Sequence, residues 1–110
     1  MTFDEYQTNA LTTVVENPDP KLDKTIWALG ITGEAGEVAE KWKKIVAYRD
    51  GIITDEDLVD LKKELGDVLW YVAVFADRLG LSLDDIAQHN VQKLASRKER
   101  NVIKGAGDHR

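Results

Sequence analysis

The fold of this chain is decided by residues 54–80, which read TDEDLVDLKKELGDVLWYVAVFADRLG. Apolar residues recur in this stretch at steps of three and four, which is the spacing of one face of an α-helix in a bundle. Thr54 with Asp57 three residues later predicts the start of the helix, and Gly80 predicts its end. The apolar face of this helix consists of Leu58, Leu61, Leu65, Val68, Val72, Phe75 and Leu79.

Capping residues and a pair of prolines divide the rest of the chain into three more helices. The first helix begins after Thr2, the second runs from about Leu22 to about Tyr48, and the fourth begins after Ser82. No stretch shows the alternating pattern of a β-strand. The sequence therefore predicts an all-α, single-domain bundle of four helices over residues 1–99, assembling through helix packing. Residues 100–110 are predicted to form a loosely ordered tail.

Composition limits the classes of function. The chain has 110 residues, no cysteine and a net charge of −5. A thiolate metal site and disulfides are excluded, and binding to nucleic acid is disfavoured. No apolar run is long enough for a membrane span, so we expect a cytoplasmic protein with no membrane partner. A chain this short buries a small fraction of its surface, which favours a homo-oligomer.

A short acidic phrase occurs twice, thirty residues apart. Glu34-Ala35-Gly36-Glu37-Val38 lies in the second helix, and Glu64-Leu65-Gly66-Asp67-Val68 lies in the third. The spacing of three places both acids of each phrase on one face of its helix. Both pairs lie on the same edge of their apolar stripes, so packing the stripes together would line one groove with four carboxylates. The alternative is a charged edge with a purely structural role.

A groove with only carboxylate ligands favours a hard ion such as Mg²⁺ or Mn²⁺. A di-iron bundle would need Glu-x-x-His motifs, and neither His89 nor His109 lies three residues after a glutamate. Three glycines, Gly30, Gly33 and Gly36, also fall within seven residues of the second helix. We expect another backbone to approach closely there, or the helix to break at Gly30 or Gly33.

Further residues could contact a substrate. Trp27 and Tyr71 point toward the acids, where they could stack on a nucleobase or form an aromatic core. Lys41, four residues after Glu37, could bind substrate or pair with Glu37. The fourth helix carries Asn90, Lys93 and Arg97 on one face, which suits either a clamp for phosphate and sugar or a solvated polar edge.

The motifs resemble those of a known family. Glu34-x-x-Glu37, a gap of 26 residues and Glu64-x-x-Asp67 are similar to the signature of MazG-like nucleotide pyrophosphohydrolases. The segment Asn90-Val91-Gln92-Lys93-Leu94-x-x-Arg97 resembles the closing motif of that family. The resemblance spans residues 22–97.

The resemblance implies hydrolysis of a nucleoside triphosphate between the α and β phosphates, which gives a monophosphate and pyrophosphate. It implies a homodimer or homotetramer, and Mg²⁺ held at a catalytic centre by Glu34, Glu37, Glu64 and Asp67. It also suggests Asn90, Lys93, Arg97 and Tyr71 as substrate contacts. Two alternatives stay open, namely a related hydrolase specific for dUTP or phosphoribosyl-ATP, and a non-enzymatic helical module that dimerises or binds a partner helix.

Overall fold

The computed structural model describes residues 1–110 and contains four α-helices and no strand. The helices are α1 (Phe3–Leu11), α2 (Pro20–Arg49), α3 (Asp55–Arg78) and α4 (Leu83–Glu99). The predicted all-α class and the number of helices are confirmed. None of the four helices combines the length and the hydropathy that a membrane span requires.

The capping residues set the helix starts as predicted. Thr2 and Ser82 each accept a hydrogen bond from the backbone three residues later, and Thr54 forms a reciprocal capping box with Asp57. Asp19 caps α2, which begins at Pro20 rather than near Leu22 because proline suits the first position of a helix.

α1 is shorter than predicted. Phe3, Tyr6, Ala10 and Val14 have helical spacing in the sequence, which predicts a first helix that reaches Val14, but α1 ends at Leu11. The hydroxyls of Thr12 and Thr13 donate to the carbonyls of Asn9 and Ala10, which gives the chain an alternative to helical hydrogen bonding.

α2 and α3 form an antiparallel hairpin with a fixed register. The Arg78 guanidinium binds Asp23 at 2.9 Å, Gly30 lies against Tyr71, and the Lys41 ammonium lies 4.0 Å from Asp60. The two residue numbers of each pair total 101, so one register holds over residues 23–41 of α2 and 60–78 of α3. Position 34 therefore faces position 67.

Gln7 joins the other two helices to the hairpin. Its buried side-chain amide donates to the carbonyls of Ala73 and Leu81, and its carbonyl accepts from the Leu83 amide. Ala10, Ala73 and Leu83 form a small core beside it. α4 packs against α1 and α3 but not against α2.

Much of the predicted apolar stripe of α3 is not covered within the chain. The exposed fractions of Leu58 and Leu65 are 55% and 56%, and that of Trp42 on α2 is 44%. The buried residues of α3 are small instead: Ala73, Val74 and Ala76. With an advance of about 100° per residue, the stripes of α2 and α3 are displaced in the same direction from the line where the helices meet. They therefore form one apolar face on the hairpin.

Candidate metal centre

Three carboxylates meet across the hairpin. Glu34 from α2 and Glu64 and Asp67 from α3 each offer an oxygen, and these oxygens lie within 4.8 Å of one another. The register places Glu34 opposite Asp67, and one helical turn places Glu64 beside Asp67. Glu34 and Glu64 are partly buried, whereas Asp67 is exposed. The cluster is therefore open to solvent on the Asp67 side.

The electrostatics of the cluster are unfavourable for the bare protein. Burial raises the pKa of Glu34, and the charges of Asp67, Glu64 and Glu37 raise it further. Neighbouring carboxylates repel one another unless one is protonated or a cation joins them. The donors of the cluster are all carboxylate oxygens, with no nitrogen or sulfur among them, which is the donor chemistry that a hard divalent cation such as Mg²⁺ prefers.

Glu37 lies outside this group of three. Its side chain is exposed, and its carboxylate is not among the oxygens within 4.8 Å. Its charge nevertheless acts on Glu34, which lies one helical turn earlier. The role of Glu37 as a fourth ligand stays a prediction.

The aromatic residues form a cluster next to the acids. The Trp27 ring meets Trp70 edge-on with a centroid distance of 5.7 Å, and the Trp70 and Tyr71 centroids are 5.0 Å apart. Trp27 is buried and Tyr71 is partly buried. This is the placement expected of an aromatic core, which was one of the two interpretations. Contact of Trp27 or Tyr71 with a substrate stays a prediction.

The glycines of α2 have a different reason from the one expected. α2 is unbroken, and the three atoms nearest to a Cβ at Gly30 all belong to the ring of Tyr71, which this Cβ would overlap. A Cβ at Gly33 or Gly36 would meet nothing within 4 Å. The close approach is therefore one of an aromatic ring, at one glycine.

Lys41 pairs across the hairpin and not along its own helix. Its ammonium lies 4.0 Å from Asp60, and no ion pair joins it to Glu37, so that predicted interaction is wrong. The register explains the difference, because position 41 faces position 60. Lys41 lines a cavity of about 260 Å³ with other charged residues of the hairpin, among them Lys44, Arg49 and Asp57.

The candidates on α4 lie apart from the acids. Asn90 is exposed, whereas Lys93 and Arg97 both bind Asp108 in the segment that follows α4. None of the three forms a hydrogen bond or ion pair with the acid cluster. The role of these three residues as substrate contacts stays a prediction.

Tyr6 is a neighbour of the acids that the sequence motifs do not indicate. Burial raises the pKa of the Tyr6 phenol, and the charge of Asp67 raises it further. Tyr6 also lines a cavity of about 370 Å³ with Phe3, Leu69 and Asp84 among its walls. Tyr6 falls on the apolar face of α1, and no motif in the sequence connects it to α3.

Comparisons with known proteins agree with the motifs. Residues 24–102 match the family described as the MazG nucleotide pyrophosphohydrolase domain. The chain is also 54% identical over 82 residues to the gene 37 protein of Mycobacterium phage L5, which corresponds to 74% of this chain and 72% of that protein. No solved structure is significantly similar to the chain.

Proposed function

Because the chain belongs to the MazG nucleotide pyrophosphohydrolase domain family, we propose that it hydrolyses nucleoside triphosphates, either NTPs or dNTPs, to a monophosphate and pyrophosphate. The observation that carries this proposal is the meeting of Glu34, Glu64 and Asp67 across the hairpin. The same acids, spread over separate faces, could not hold one ion.

The acids have separate tasks in this proposal. Glu34, Glu64 and Asp67 hold Mg²⁺, or Mn²⁺ in its place, and Glu37 joins them by a change of rotamer, which its exposure permits. When bound, Mg²⁺ neutralises the phosphates and lowers the pKa of a coordinated water. A carboxylate oxygen left free at the cluster accepts a hydrogen bond from the attacking water and orients it toward one phosphorus.

Other side chains position the nucleotide in this proposal. Lys93 and Arg97 bind phosphate oxygens, since both are cations and Arg97 offers a planar fork of donors. Asn90 contacts the sugar. α4 does not pack against α2. The nucleotide would therefore span the distance between these side chains and the acids, or α4 of a second copy of the chain would supply them.

The apolar face of the hairpin supports an oligomer. Only 10 of the 110 residues are buried, while Leu58, Leu65 and Trp42 are exposed together on that face. An exposed apolar face of this kind marks a protein interface. We propose that two copies cover this face by packing their hairpins together, and that a homodimer or homotetramer results.

The test is incubation with each of the eight common NTPs and dNTPs and Mg²⁺, with both products measured. Glu64→Gln and Asp67→Asn should each lower kcat by about 100-fold or more, since a ligand of the ion is lost. Glu56→Gln, on the same helix, is the matched control, because Glu56 is exposed and unpaired and the charge change is the same.

A second measurement separates metal binding from turnover. Mg²⁺ at ten times its Kd should raise the free energy of unfolding by about 1.4 kcal/mol, and Tm by several degrees, through binding to the folded state. Asp67→Asn should lose this rise and Glu56→Gln should keep it. If no nucleotide yields pyrophosphate and Mg²⁺ does not change Tm, the proposal is contradicted.

A further inference from the structure

The segment that follows α4, residues 100–110, folds back onto this helix. The Asp108 carboxylate accepts hydrogen bonds from the Lys93 ammonium at 3.2 Å and from the Arg97 guanidinium at 3.0 Å. The Arg97 guanidinium also donates to the backbone carbonyl of Asp108 at 3.2 Å. One acidic residue therefore binds both cations that were predicted to clamp a phosphate.

Arg97 is unusual among the cations of this chain because its side chain is buried, with an exposed fraction of 4%. Both of its hydrogen bonds leave from Nη2, and its Nε is buried without a partner. A buried donor without an acceptor costs free energy. Asp108 therefore uses only part of the donor capacity of Arg97, and an anion with more oxygens would use more.

Hydrogen bonds from arginine side chains to backbone carbonyls also hold the segment in place. Arg110 donates to the carbonyls of Val102 and Ile103 at 3.0 and 3.2 Å, and Arg100 donates to the carbonyl of Arg110 at 2.9 Å. Asp108 itself is exposed, with 75% of its side chain accessible. None of residues 100–110 is buried, so the segment can leave α4 without disturbing the core.

We propose that Lys93 and Arg97 form a phosphate-binding site that Asp108 occupies in the free chain, so that a nucleotide must displace Asp108 to bind there. This inference rests on the proposed function for the identity of the ligand. The carboxylate of Asp108 takes the place of one phosphate group. The segment 100–110 is thus an internal competitor of the substrate.

The charges at the site favour this exchange. Two cations face one carboxylate, so the site has a local excess of positive charge although the net charge of the protein is −5. The Arg97 guanidinium and the Lys93 ammonium hold the pKa of Asp108 below its usual range, as is expected where two cations face one carboxylate. A phosphate or pyrophosphate group carries more charge and more acceptor oxygens than a carboxylate, and it can bind the arginine fork in two places.

The first experiment measures binding of pyrophosphate by titration calorimetry in EDTA, so that no metal ion can hold pyrophosphate at the acid cluster. Asp108→Asn should bind pyrophosphate about three- to tenfold more tightly than the wild type, because a competing occupant is removed. Glu99→Gln removes the same charge from a nearby exposed and unpaired position, and it should bind like the wild type.

A second variant fixes the location of the bound anion. Adding Lys93→Gln to Asp108→Asn should abolish the gain, since one of the two cations is lost. Equal affinity in the wild type and Asp108→Asn, or a gain that survives Lys93→Gln, would overturn the proposal. Absence of pyrophosphate binding in every form would overturn it as well.

Kinetics complete the test. With Mg²⁺ and a nucleotide substrate, Asp108→Asn should lower KM by a similar factor and leave kcat unchanged, because the competitor acts before chemistry. If no form hydrolyses any nucleotide but pyrophosphate binds more tightly to Asp108→Asn in EDTA, the proposed function fails and the phosphate site stands. If hydrolysis occurs and neither KM nor pyrophosphate affinity responds to Asp108→Asn, the internal competitor is refuted alone.

Discussion

The absence of a side chain at Gly30 allows an aromatic ring of α3 to pack against α2 close to the acids. The Tyr71 ring occupies the space of a Cβ at this position, and Trp27 and Trp70 hold the ring from the sides. Tyr71 lies one turn after Asp67, so the contact at Gly30 fixes the height of α3 against α2 near the cluster.

Gly30→Ala should therefore destabilise the protein. Overpacking against a confined ring costs about 1–3 kcal/mol, which exceeds the gain of up to about 1 kcal/mol in helix propensity. Gly33→Ala is the matched control on the same helix, since a Cβ there meets nothing, and it should raise Tm. Thermal unfolding of both variants checks this. Equal stabilisation by both would contradict the contact, and destabilisation by Gly33→Ala would show that another chain packs on α2.

The pairing of the acids was predictable from sequence, whereas the reason for Gly30 was not. The repeated acidic motif places Glu34, Glu64 and Asp67 on matching edges of two apolar stripes, so the sequence indicated that these acids could meet, although Glu37 lies outside the group that they form. The contact between Gly30 and Tyr71 depends on the register, which no local pattern contains. The same is true of Lys41, which meets Asp60 and not its helical neighbour Glu37.

At the scale of elements, the start of α3 combines two kinds of stabilisation. The Asp57 carboxylate accepts a hydrogen bond from the Thr54 amide and one from the Arg49 guanidinium at 2.6 Å, which ties the end of α2 to the start of α3. The Arg49 guanidinium and the Thr54 backbone together hold the pKa of Asp57 well below its usual range.

Asp57→Asn should lower Tm at neutral pH by about 3–6 °C, as expected for loss of a capping residue. Since the folded-state pKa of Asp57 is depressed, its ionised form stabilises the fold above the unfolded pKa of about 3.9, and this stabilisation is lost as pH falls below that value. The Tm difference should therefore shrink in acid. Asp55→Asn, in the same turn but unpaired, is the control. A difference independent of pH would contradict the charged contact with Arg49.

The starts of α1, α3 and α4 were predicted well because each depends on one capping side chain bonded three residues later, whereas α2 begins earlier than predicted, at Pro20. The end of α1 was missed because Thr12 and Thr13 act through backbone carbonyls that an apolar pattern does not register. Gln7 was missed for a related reason. A single glutamine in a polar stretch gives no sign that it joins three elements.

The four helices of one chain leave part of the apolar stripe of α3 exposed to solvent. The strongest periodic signal of the sequence correctly predicted a helix, but Leu58 and Leu65 remain exposed. Periodicity states that a face is apolar and does not state which partner covers it. A second copy of the hairpin offers a matching face.

Leu65→Lys should therefore disrupt the proposed homo-oligomer and leave a monomer of 12.4 kDa, because a charge would be buried at the proposed interface. Val15→Lys is the control, since Val15 is 83% exposed and lies between α1 and α2. Light scattering coupled to size exclusion measures both masses. Because oligomers dissociate on dilution, the wild type is measured at a high protein concentration, about 100 µM. A wild type that is a monomer at this concentration would contradict the proposed interface.

The register of the hairpin also limits where this chain can change in length. One residue inserted inside α2 or α3 turns everything beyond it by about 100° and separates pairs such as Asp23 and Arg78. The connection at residues 50–54 escapes this limit, because it is a surface turn in which Asp50 and Gly51 already adopt left-handed backbone angles. During evolution, insertions and deletions should therefore accumulate at this turn, and the number of residues between the two acidic motifs should vary with its length.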